Sequence, residues 1–148
     1  MNRQEVLVSG LALGAICLAA SSGVAFILDL LGAFDEASAP DPDTAIATFV
    51  SAIVISPALE TCLIFLAIKG LARVLPRNLS WVIAGGGMAL LHSLISPFWG
   101  VVVLGPFLLQ ARAMLDEDVP LKGRFMIVFL AHLANNSVAF LIMLRSME

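Results

Sequence analysis

The chain of 148 residues holds two histidines, His92 and His132, and both lie inside long apolar runs. Glu60 sits in another such run, and Asn136 follows His132 by four residues, one helical turn along the same face. An ionisable side chain at membrane depth costs at least about 2.5 to 3.5 kcal/mol, so residues of this kind usually face a bundle interior and have partners there. Together a carboxylate, two imidazoles and an amide supply what peptide hydrolysis needs: a base for water, a stabiliser for the oxyanion and a proton for the leaving amine. Taken singly, a buried histidine is more often a structural hydrogen-bonding residue; it is the set of four that argues for a shared site. Glu60, His92 and His132 could also make a three-ligand zinc site with an open position, but the HExxH spacing is absent and no catalytic metal or other cofactor is expected. Ser56, Ser93 and Ser96 have no His/Asp arrangement beside them and read as helix or turn residues.

The elements that must carry these groups are apolar helices. Residues 6–31 are too long for a secretory h-region of about 7 to 15 residues and read as a first membrane helix. Within it, Gly10 and Gly14 form a GxxxG spacing that lets a neighbouring helix approach closely. Residues 32–43, with two prolines and four acidic residues, read as an extramembrane loop. A second helix is expected over residues 44–71, with Pro57 one turn before Glu60 loosening the backbone there. A third run covers residues 80–95, and residues 96–100 break it with an uncharged turn. The fourth run, 101–115, is expected to be kinked or partly re-entrant at Gly105-Pro106. A charged loop at 116–124 leads to a fifth helix at 125–144.

Depths along these helices can be compared at about 1.5 Å per residue. From the flanking cations, Glu60 and His132 both lie roughly 12 to 14 Å deep, and His92 and Asn136 roughly 18 to 22 Å, so the four groups can converge. With the N-terminus inside, Arg3, Lys69, Arg73, Arg77, Arg112, Lys122 and Arg124 all fall on the cytoplasmic side and only Arg145 falls outside, the bias that cytoplasmic loops show.

Composition agrees with this reading. The chain is 60% hydrophobic and 13% charged, with a mean hydropathy of +1.01, where a soluble domain carries about 25% charged residues. Barrel strands would alternate apolar and polar residues, and these runs are continuous. The expected fold is therefore an all-α polytopic transmembrane bundle of about five spans, a single domain over 1–148 with its polar core within 44–144. The net charge of −3 comes largely from two acidic clusters and leaves no basic tract for nucleic acid. Cys17 and Cys62 lie far apart in apolar runs, which excludes a CxxC redox motif or a zinc ribbon.

Three segments, Pro57-Ala58-Leu59-Glu60-Thr61, Met88-Ala89-Leu90-Leu91-His92 and His132-Leu133-Ala134-Asn135-Asn136-Ser137, resemble the motifs EExxxR, FxxxH and HxxxN of the CAAX-protease and bacteriocin-processing (CPBP, or Abi) family of glutamic intramembrane proteases. The resemblance spans about residues 55–140, in the family's order, with the motifs on the second, third and fifth expected helices. It implies that Glu60 activates water together with His92, and that His132 and Asn136 stabilise the tetrahedral oxyanion. Thr61 stands where the family has its second glutamate, Phe65 where it has arginine and Met88 where it has phenylalanine. The implied activity is endoproteolysis of a membrane-associated protein or peptide in the bilayer, in a bacterial inner (plasma) membrane with the N-terminus cytoplasmic. A homo-oligomer could cover the cleft of so small a bundle. Two other readings stay open: a non-catalytic immunity or membrane-regulatory protein, suggested by Thr61 and Phe65, and a small proton or ion transporter, because buried Glu and His also build proton relays.

Overall fold

A computed structural model describes residues 2–32 and 50–145. The expected loop at 32–43 and the start of the expected second helix, 44–49, lie almost wholly outside the described residues. The described chain is all-helical: α1 (Arg3–Leu30), α2 (Ser56–Leu71), α3 (Arg77–Ser93), α4 (Pro97–Met114) and α5 (Leu121–Arg145). Asn2 opens α1 with a capping box, accepting from the Glu5 amide while the Glu5 carboxylate accepts from its own. Three segments are long and apolar enough to cross a membrane: Arg3–Leu30, Ile53–Leu71 and Pro97–Met114. Their large apolar side chains are widely exposed, Leu7, Leu11, Phe26, Leu59, Leu66 and Val101 among them. In water such a surface would be an aggregation liability; in a bilayer it is the lipid-facing coat.

Packing pairs α1 with α5 and α3 with α4, while α2 leans on α3, α4 and α5. The Gly10 and Gly14 spacing does what small residues do in membrane interfaces. A Cβ at Gly10 would meet Leu130 Cβ at 2.8 Å, and one at Gly14 would meet Ala134 Cβ at 3.0 Å and the Ala131 carbonyl at 3.1 Å. A shared apolar core joins Ile64 and Ile68 of α2, Met88 and Ala89 of α3, Phe107 and Ala111 of α4, and Val128 of α5.

Two local expectations change. The break at 96–100 shrinks to residues 94–96, because Pro97 opens α4 at a first-turn position where its missing N–H costs nothing. At Gly105-Pro106 the helix is not broken into a re-entrant pair: α4 runs helically through Pro106. The carbonyl of Pro106 accepts from the Cys17 thiol at 3.8 Å, so α1 packs against the helix at this point. Cys17 is fully buried, whereas Cys62 is exposed.

Candidate functional site

Immediately before α2 the backbone forms one π-helical turn, Ser51–Ile55. Pro57 explains where it falls: lacking an N–H, it cannot bond back into the preceding turn, and the Ser56 N–H reaches instead to the Ser51 carbonyl. The widened turn ends on the helix face that carries Ser56 and Glu60. Four residues apart, these two meet, and the Ser56 hydroxyl donates to Glu60 Oε1.

Both imidazoles reach the same carboxylate. His132 Nε2 of α5 stands 3.1 Å from Glu60 Oε2, an ion-pair distance without the alignment of a linear hydrogen bond. His92 Nε2 of α3 stands 3.9 Å from Oε1. That separation is too long for a direct bond, yet a water set to one side of the line lies within reach of both groups. Glu60 and His132 are buried, and the His92 side chain is 26% exposed, so the imidazole of α3 forms the open edge of the cluster.

The other ring nitrogens distinguish the two histidines. His92 Nδ1 lies 2.9 Å from the Met88 carbonyl; a carbonyl can only accept, so Nδ1 carries a proton and neutral His92 presents a lone pair at Nε2 toward Glu60. His132 has the reverse arrangement. Its Nε2 faces the carboxylate as a donor, and its buried Nδ1 has no partner among the described residues. One imidazole thus turns a lone pair and the other an N–H toward Glu60.

Phe107 of α4 packs against both rings. Its ring centroid is 4.9 Å from that of His92 and 5.6 Å from that of His132, the latter edge-on at 78°. Being 2% exposed, it also closes this side of the cluster to bulk water. Asn136 is half-buried one turn beyond His132, and its amide oxygen accepts from Asn135 Nδ2 at 3.5 Å. Asn135 in turn accepts from the Ser21 hydroxyl of α1 at 3.4 Å, tying the polar end of α5 to the first helix.

No protein-family model, curated protein or solved structure matches this chain. The resemblance therefore rests on the three motifs themselves, and their departures have definite surroundings. Thr61 is fully buried, and its hydroxyl has no partner among the described residues. Phe65 packs against the core with the Lys69 ammonium 5.8 Å from its ring centre, and Met88 fills the core while its carbonyl holds His92. Sequence reasoning missed Ser56 and Phe107. The i, i+4 spacing to Glu60 could have found the serine; nothing separates Phe107 from any other aromatic residue in an apolar run.

Proposed function

We propose that the protein is an intramembrane endopeptidase of glutamic type, which cuts a membrane-associated protein or peptide with water activated by Glu60 and His92. The supporting observation is that one buried carboxylate stands 3.1 Å and 3.9 Å from two imidazoles borne on two other helices. In this reading Glu60 and His92 take the proton of a water held at the 3.9 Å gap. His132 and Asn136 steady the tetrahedral oxyanion, and the protonated base returns its proton to the leaving amine. Five spans with a cytoplasmic N-terminus, in a bacterial inner membrane, complete the proposal. Membranes carrying the wild-type protein or its Glu60→Gln variant, compared by mass spectrometry of protein termini, test it. A new terminus is expected with the wild type and not with Glu60→Gln or His92→Ala, at equal protein levels; identical termini in all three refute it.

A second reading, a non-catalytic relative that binds a peptide in the same cleft, is favoured by Thr61 and Phe65, neither of which carries the charge found at the family's acid and arginine positions. Under that reading Glu60→Gln leaves the biological activity intact.

A further inference from the structure

Away from Glu60, where α3 begins and α4 ends, the bundle carries an open cavity of about 830 Å³. Arg77 and Trp81 line it from the start of α3, Arg112 from the last turn of α4, and Asp116, Glu117 and Asp118 from the turn that follows. Part of this charge is already matched. Arg77 pairs with Glu117 and donates to the Leu115 carbonyl, which fixes the loop against α3. Arg112 is exposed and has no ion pair among the described residues. Asp116 accepts from the Asp118 amide at 3.1 Å, and neither of these two carboxylates forms an ion pair among the described residues.

A ligand suited to this mouth must bring negative charge to Arg112 and positive charge to the aspartates. A plain anion meets three carboxylates against two guanidiniums, and a plain cation meets the free Arg112. The level in the membrane narrows the choice further. The 18 residues of α4 span about 27 Å, close to the roughly 30 Å of a hydrocarbon core, so its last turn and the following acids lie at headgroup height. Trp81 suits that interface.

We propose that this cavity binds the phosphoethanolamine headgroup of a membrane phospholipid, with the phosphate on Arg112 and the ammonium on Asp116 and Asp118. The site is independent of the Glu60 cluster and of any proteolysis there.

The chain has two tryptophans and no tyrosine, so in a Trp99→Phe background Trp81 alone reports on the cavity. Short-chain phosphatidylethanolamine titrated into the full chain in detergent should give a saturable change in Trp81 emission. Arg112→Gln should weaken it at least tenfold. Asp116→Asn with Asp118→Asn should weaken it likewise and let short-chain phosphatidylglycerol bind. All three residues are exposed, so these substitutions leave the core untouched. The proposal is overturned by no saturable change, by equal response to phosphatidylglycerol in the unsubstituted cavity, or by indifference to Arg112→Gln. Saturation by chain-free glycerophosphoethanolamine at the same concentration would mean a soluble ligand and overturns it too.

Discussion

Ser56 and Phe107 illustrate how a buried carboxylate and two imidazoles are held in register. A hydrogen bond to a charged group contributes about 1.5 to 3 kcal/mol, and the Ser56 hydroxyl directs its bond to the Glu60 oxygen that faces His92. In the proposed protease, Ser56→Ala should therefore lower kcat about tenfold or more with little change in KM, read on whichever substrate the terminus comparison identifies. Unchanged kcat would mean that the hydroxyl does not position the base. Phe107→Leu keeps an apolar side chain but removes both ring contacts. In the proposed protease it should cut kcat several-fold at an assay temperature where the variant stays folded, whereas unchanged kcat with a lower unfolding temperature would reduce Phe107 to a packing residue. At this scale the sequence was informative about Glu60, His92 and His132, because ionisable groups in apolar runs demand an explanation. It was silent about Phe107, whose role arises only from the approach of α4 to two other helices.

Helix contacts depend on small residues and on one tie outside the membrane. Gly14→Leu would drive a side chain into Ala134 and the Ala131 carbonyl, and overpacking of this kind costs about 1 to 3 kcal/mol. Thermal unfolding in detergent should fall by several degrees, while Gly23→Leu, where a Cβ meets nothing, should leave it near the wild-type value. The Arg77 hydrogen bond and charge hold the Glu117 carboxyl below its ordinary range. A carboxyl lowered in the folded state adds stability that is present above the ordinary glutamate value of about 4.3 and is lost as pH falls through the folded-state value. The difference in unfolding temperature between wild type and Glu117→Gln should thus shrink on going from pH 7 to acid, and also in high salt because the pair is exposed. A difference that grows in acid would contradict this assignment. The GxxxG approach was legible from spacing alone. The boundaries of α4 were not, because Pro97 and Pro106 are both read as breakers until the first is seen at a helix start and the second inside a helix that tolerates it.

For the molecule as a whole, the bilayer explains what water cannot: exposed leucines and valines over helices that turn their few polar groups inward. Continuous apolar runs made the all-helical class readable, since nothing in them alternates with the period of a strand. The convergence of α2, α3 and α5 on one point was accessible only as matching depths, for depth along a helix says nothing about which way a side chain turns. Reporter fusions after Arg73, Asp116 and Arg145 test the proposed five-span topology; the first two should read cytoplasmic and the third external, and any other pattern refutes it. The meeting of Glu60, His92 and His132 underlies the whole account, and the presence of only two histidines allows it to be tested directly. With 15N-labelled histidine in lipid nanodiscs, the ring nitrogens of both residues should shift when Glu60 is replaced by glutamine, and His92 should show a protonated Nδ1. Ring signals that ignore the substitution would contradict the claim that the three side chains share one site.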